Sequence, residues 1–165
     1  MKAKTKKAIK ITAIVFLTLV LAVGAYCGYV LLSYSRIEDR TPIAIENNKT
    51  EILDAEGEYT ITTYNVGFGA YGPEFSFFLD TGHMSDGTYV KGKYGKSISK
   101  ELTLRNTTGA IGEIEKLDSD IVILQEVDLK SSRAYKVNMY EMFKTALSDY
   151  SSSYASNFHT AYLPY

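Results

Sequence analysis

The residues best suited to chemistry lie in one stretch, Asp120-Ile-Val-Ile-Leu-Gln-Glu-Val-Asp128. Ile121 to Leu124 is a β-branched, apolar run that reads as a buried strand. It delivers Gln125, Glu126 and Asp128 at or just past its end. Carboxylates held at a strand end by a rigid scaffold can bind a metal ion or orient a substrate. A second segment, Thr62-Thr-Tyr-Asn-Val-Gly-Phe-Gly69, places Asn65 near the end of another strand. That strand is expected over Glu58–Val66, where Tyr59, Ile61 and Thr63 alternate with Thr60, Thr62 and Tyr64. Taken singly, Glu126 reads as a solvated strand-end acid and Asn65 as a turn residue.

Other reactive residue types form no recognisable constellation. His83 and His159 are isolated, and no His/Cys/Asp spacing suits zinc. No G-x-S-x-G segment places a serine nucleophile. Gly67-x-Gly69-x-x-Gly72 matches the dinucleotide fingerprint in letters only. That fingerprint must open a helix, whereas here Pro73 follows and the glycines read as turn residues. With no Trp and 14 Tyr, the tyrosines read as filler of core and surface, not as a stacking platform.

The elements that must hold these residues begin with an anchor. Lys2, Lys4, Lys6, Lys7 and Lys10 precede Ile11–Leu32, a run of 22 residues without a charge. As a helix, such a run spans roughly 33 Å, enough for the ~30 Å hydrocarbon core of a bilayer. It exceeds the usual 7–15-residue signal-peptide core, which favours an uncleaved span. Basic flanks stay inside, so the N-terminus is expected to be cytoplasmic and the rest of the chain extracytoplasmic. The one cysteine, Cys27, falls inside this span and excludes an internal disulfide. The net charge of −1 hides an asymmetry: beyond residue 10, 13 basic residues face 19 acidic ones. That body has no basic surplus for holding a nucleic-acid backbone by charge alone.

After the anchor, Ser33 to about Asn48 reads as a polar linker leading to a first strand or hairpin. Gly67 to about Gly95 reads as a long ordered loop, with a short helix near Glu74–Leu79. A helix is expected over Ser97–Leu117, with Leu104, Ile111, Ile114 and Leu117 on its buried face and Gly109 and Gly112 weakening it. A second helix is expected over Val137–Leu147, and another strand or loop over Tyr154–Tyr165. The alternation of strands and helices is α/β in character.

Thr63-Tyr-Asn-Val66, the helix 97–117 and Asp120–Asp128 together resemble the endonuclease/exonuclease/phosphatase superfamily. Its members include DNase-like nucleases, inositol-phosphate phosphatases and sphingomyelinases. The membrane-anchored subgroup of Gram-positive bacteria is similar in further places. These are the anchor, Leu32-Ser-Tyr-Ser-Arg-Ile-Glu-Asp39, Asn65-Val-Gly-Phe-Gly-Ala-Tyr71 and Ser131-Ser-Arg-Ala-Tyr135. The resemblance covers nearly the whole chain.

The resemblance implies an α/β fold, the N-terminal half of a four-layer sandwich of two packed β-sheets flanked by helices. Its organisation would be a basic cytoplasmic segment 1–10, a transmembrane anchor 11–32, a linker and first hairpin 33–57, and a partial domain 58–165. It implies a phosphodiesterase- or nuclease-like hydrolase, dependent on Mg²⁺ or Mn²⁺ and acting on a phosphate ester outside the cytoplasm. Glu126 matches the family's metal-binding glutamate, and Asn65 the asparagine that helps hold metal and phosphate. Asp128, which could orient Arg133 or a water, and Arg133 are supporting candidates for the chemistry. The family's later motifs, a Gly-Asp-x-Asn segment and a Ser-Asp-His, do not occur in residues 1–165. The expectation is therefore the first part of such an enzyme, without its acid/base and histidine. The alternative expectation is a non-catalytic, membrane-anchored binding or interaction module from a truncated reading frame.

Overall fold

The computed structural model describes residues 3–49 and 52–160. Lys2 of the basic cluster, Thr50 and Glu51 of the expected linker, and 161–165 of the expected last strand or loop lie outside the described residues. The described chain forms two compact units, 3–42 with 155–160, and 43–154.

The first unit is dominated by helix α1, Ala3–Ser33, 31 residues and roughly 46 Å long. Within Lys4–Ser33 an 18-residue stretch has a mean hydropathy of 2.3 and none of it is buried, so the helix is long and apolar enough to cross a membrane. The helix begins before the uncharged run, so Lys4, Lys6, Lys7 and Lys10 ride on the same rod. Beyond it, Ser35 pairs antiparallel with His159, and the rings of Tyr34 and Phe158 lie 5.4 Å apart. His159 is thus a backbone pairing residue.

The second unit is mixed α/β. Strands β1, Ile61–Asn65, and β4, Ile121–Gln125, pair in parallel, with Ile61 opposite Ile121 and Asn65 opposite Gln125. Parallel strands need a long crossover, and α2, Lys100–Leu117, forms part of it. Between β1 and α2 lies a small hairpin, β2 (Gly82–His83) against β3 (Tyr89–Val90). The last helix is α3, Met139–Ala146, whose first turn is capped by Asn138 accepting from the Glu141 N–H. In the segment expected as linker and hairpin, Glu46 pairs antiparallel with Ser152.

The start of the sheet is pinned by Asp120. Its carboxylate accepts from the Thr60 N–H and hydroxyl, both at 2.7 Å, and the Asp120 N–H returns to the Thr60 hydroxyl at 3.0 Å. The Thr60 backbone and hydroxyl donors hold the Asp120 pKa below its ordinary value. A depressed carboxylate stabilises the fold above its unfolded pKa and loses that contribution as pH falls through the folded value. Asp120→Asn should therefore melt lower than wild type at pH 7, and the two melting curves should converge on acidification below the ordinary aspartate range. Thermal melts of the full chain in detergent at several pH values check this.

β4 is not the buried strand expected. Val122 and Leu124 turn toward the core, while Ile123 is 51% exposed and Ile61, on the same face of β1, is 62% exposed. A continuous apolar run cannot show that only one face of a two-stranded sheet is covered.

α2 is shorter than expected and turned differently. Its cap is Ser99, whose hydroxyl accepts from the Leu102 N–H at 3.1 Å. It ends at Asp118 in a left-handed conformation, whose N–H reaches the Ile114 carbonyl. Leu104 and Leu117 are exposed, while Thr103 and Thr107 are fully buried beside Ile111 and Ile114. The threonine hydroxyls are satisfied within the helix: Thr107 donates to the Thr103 carbonyl and Thr103 to the Ser99 carbonyl. These positions face Gly69. A Cβ there would stand 2.9 Å from Thr103 Cγ2, the Thr103 carbonyl oxygen and Thr107 Oγ1, on a backbone with φ +66°. Gly69→Ala should cost about 2 kcal/mol or more, from the clash and the left-handed backbone together, read by denaturant unfolding of the full chain.

The long loop is ordered, but Glu74–Leu79 forms turns and a bridge instead of a helix. Phe77 pairs with Tyr94, and Phe75 and Phe77, two apart, both meet Phe68 edge-on. A spacing of two serves extended chain. The core therefore gathers Phe68, Ala70 and Phe75 after β1, Ile111 and Ile114 from α2, and Val137, Met139 and Phe143 near α3.

Candidate functional site

The site is built where β1 and β4 end side by side. Past Asn65 the chain turns through Gly67 (φ 52°), Phe68 (φ 43°) and Gly69 (φ 66°), and past Gln125 it turns at Glu126 (φ 56°). The two turns are stitched together: the Val66 N–H donates to the Gln125 carbonyl at 3.0 Å, and the Phe68 N–H to the Glu126 carbonyl at 3.1 Å. Glu126 has a Cβ, so its left-handed backbone costs about 1–2 kcal/mol. Strain of this kind persists where surrounding contacts over-determine it, and it concentrates at functional sites.

The Glu126 side chain is held from two sides. Asn65 Nδ2 donates to Glu126 Oε1 at 2.9 Å, and Arg133 Nη1 donates to Oε2 at 3.4 Å. Asn65 Oδ1 meanwhile accepts from the Gly67 N–H at 2.9 Å, so opposite bonds fix its amide orientation. Asn65 therefore presents its nitrogen to Glu126, and its oxygen is engaged with the backbone.

Asp128 does orient Arg133. Nε and Nη2 of the guanidinium donate to the two carboxylate oxygens of Asp128 at 2.8 and 2.9 Å, a bidentate pair. The Ser131 hydroxyl also donates to Asp128 and accepts from the Ala134 N–H at 3.2 Å. The Arg133 guanidinium lies 4.2 Å from the centre of the Phe68 ring, and Phe68 is 1% exposed. Asn65, Glu126, Asp128 and Arg133 thus form one hydrogen-bonded chain. Gln125 does not join it; its amide donates to the Thr63 hydroxyl at 3.1 Å on the sheet's open face.

Tyr71 was not singled out by sequence, although it sits in the segment Asn65–Tyr71. Its hydroxyl donates to Asp80 Oδ2 at 3.3 Å. Burial, then Asp80 and Glu126, push the Tyr71 pKa above its ordinary value, with Arg133 opposing. A groove of about 630 Å³ is lined by Tyr64, Asn65, Tyr71, Arg105, Asn106 and Glu113. Ser131 was likewise missed as a participant. Neither residue has a spacing that marks it in advance, because each is brought in by a turn. His83 instead meets the Tyr89 ring at 5.2 Å in the β2–β3 hairpin.

Among the described residues no group of three or more His, Cys, Asp or Glu converges on a point. The donor set is one carboxylate, Glu126, with its side chain 37% exposed, while Asp128 is spent on Arg133. One carboxylate and retained waters suit Mg²⁺, which dehydrates reluctantly and binds through few protein ligands. They do not suit a cage for a softer metal. Compared with known proteins, the chain matches no family model, no curated protein and no solved structure.

Proposed function

We propose that this chain belongs to a membrane-anchored, divalent-metal-dependent phosphoester hydrolase of the endonuclease/exonuclease/phosphatase type. On this reading residues 58–165 contribute part of a four-layer sandwich, with β1 and β4 in one of its two sheets, on the outer side of the membrane. The observation that carries the reading is the contact between Asn65 and Glu126 at the aligned ends of two adjacent parallel strands, 2.9 Å long and made by a strained glutamate.

Bound at Glu126, Mg²⁺ or Mn²⁺ would supply charge stabilisation at a phosphoryl oxygen. Glu126 presents the carboxylate. Asn65 acts on it by orientation, through Nδ2, and not as an oxygen ligand. Asp128 holds Arg133, and the groove beside Asn65 offers room for the remainder of an ester. The groups that move protons in this family belong to the Gly-Asp-x-Asn and Ser-Asp-His motifs, so residues 1–165 by themselves account for binding and orientation. The test is a titration of the full chain in detergent with Mn²⁺, followed by the loss of the free-ion electron paramagnetic resonance signal. One saturable site, emptied by excess Mg²⁺, is expected; a chain that takes up no ion would remove the reading.

The second reading, a non-catalytic anchored interaction module, is favoured by one feature. The β1–β4 face that carries Ile61 and Ile123 is open, and exposed apolar sheet surface commonly marks association.

A further inference from the structure

We propose that Arg133 is the phosphate anchor of this site, transferring its Nη1 hydrogen bond from Glu126 to a phosphate oxygen once a divalent cation occupies that carboxylate. The inference rests on the metal-binding reading of Glu126 and adds to it the group that recognises the ester's oxyanion.

Arg133 is immobilised without help from Glu126. One edge of its guanidinium is taken by Asp128 at 2.8 and 2.9 Å. One face is stacked on the buried Phe68 ring at 4.2 Å. Asp128 is itself held by Ser131, which is tied to the Ala134 N–H. Arginine carries its donors in a rigid fork, so fixing one edge aims the remaining end. That end is Nη1, and it meets Glu126 at 3.4 Å, longer than either bond to Asp128. A structural arginine would be adequately paired by Asp128 alone. Here the side chain reaches past its partner to the one strained carboxylate at the strand ends.

Charge then sets the order of binding. Glu126 and Asp128 against Arg133 leave a net charge of −1, which repels a phosphate. A divalent cation on Glu126 turns the cluster to +1 and draws that carboxylate's charge away from Nη1. An oxyanion arriving beside the cation meets a donor already in place, with little ordering cost. Phosphate binding is therefore cation-dependent, and Arg133 governs the phosphate without being needed for the cation.

The test uses the full chain in detergent and inorganic phosphate as the probe, titrated with and without Mg²⁺ and followed by calorimetry. Wild type should bind phosphate only when Mg²⁺ is present. Arg133→Lys keeps a charge but loses the fork, so phosphate affinity should fall about tenfold or more, as for loss of a charge-assisted hydrogen bond. Its Mg²⁺ affinity should stay within about threefold, a split that a merely structural role would not produce. In the wild type, the Arg133 Nε–H resonance should shift when phosphate is added to the Mg²⁺-loaded protein, a readout that needs no variant. Phosphate binding that survives Arg133→Lys within about twofold, or an Arg133 signal unmoved by phosphate, would overturn the proposal while leaving the metal site standing. Absence of Mg²⁺ binding in the wild type would overturn both.

Discussion

On the proposed metal-binding reading, Glu126→Ala should raise the full chain's dissociation constant for a divalent cation by a hundredfold or more. Even the partner residues that orient a metal ligand are each worth about 10–100-fold in affinity, and Glu126 is the only carboxylate of the site not already committed to an arginine fork. Asn65→Ala should do less, about tenfold, because it removes the hydrogen bond that aims Glu126 and not the charge. The backbone gives an independent check. Glu126 sits at φ 56°, where alanine is strained and glycine is not. Glu126→Gly should thus unfold at higher denaturant than Glu126→Ala, by about 1 kcal/mol, reversing the usual ranking of these residues, while binding no more cation. Equal stability of the two variants would mean that the left-handed turn is not strained. Cation binding that persists in both would place the metal elsewhere.

Phe68→Ala should be the most damaging single substitution in the α/β unit, costing about 3–5 kcal/mol. The ring is 1% exposed and meets Tyr71, Phe75 and Phe77 edge-on at 6.0 to 6.4 Å between centres. It also underlies the Arg133 guanidinium, so its removal takes away both the centre of the core and the floor of the site. Marginal domains have about 5–15 kcal/mol in total, and the variant is expected to unfold near ambient temperature. Phe68→Leu, which keeps most of the volume, should recover part of the stability but none of the edge-on ring contacts. Denaturant unfolding separates the three proteins, and a loss under about 1 kcal/mol for Phe68→Ala would mean that the loop, not the ring, organises this core.

How much of this was legible in advance differs from residue to residue. The two strands were readable because Tyr59–Tyr64 alternates and Ile121–Leu124 is β-branched; their C-terminal ends fall within one residue of those expected, while β1 starts three residues after the expected Glu58. That they pair with each other, in parallel and in register, is not written in either segment. It depends on the crossover and on Asp120 gripping Thr60. The burial of α2 was misjudged because leucine outranks threonine on any hydropathy scale, whereas the close approach of Gly69 admits only side chains as small as Thr103 and Thr107. The span of α1 was plain from composition alone. At the site, Glu126 and Asp128 were marked by their place just past one strand and Asn65 by its place near the end of another, while their roles, and Arg133 as a partner of Asp128, came with the family resemblance. Tyr71 and Ser131 were invisible because left-handed turns and a hydrogen-bond relay bring them in.

The sheet register has a consequence in time. Thr60 and Asp120 are 60 residues apart in the chain. A ribosome adding about 5–20 residues per second needs several seconds to make the intervening segment. Throughout that interval β1 exists with both edges unpaired, while the apolar helix ahead of it has already emerged. Translation speed across residues 66–120 therefore sets how long the edge that β4 will cover is on display. Slowing it there should lower the yield of folded protein at unchanged sequence, an effect that a domain built from local hairpins would escape.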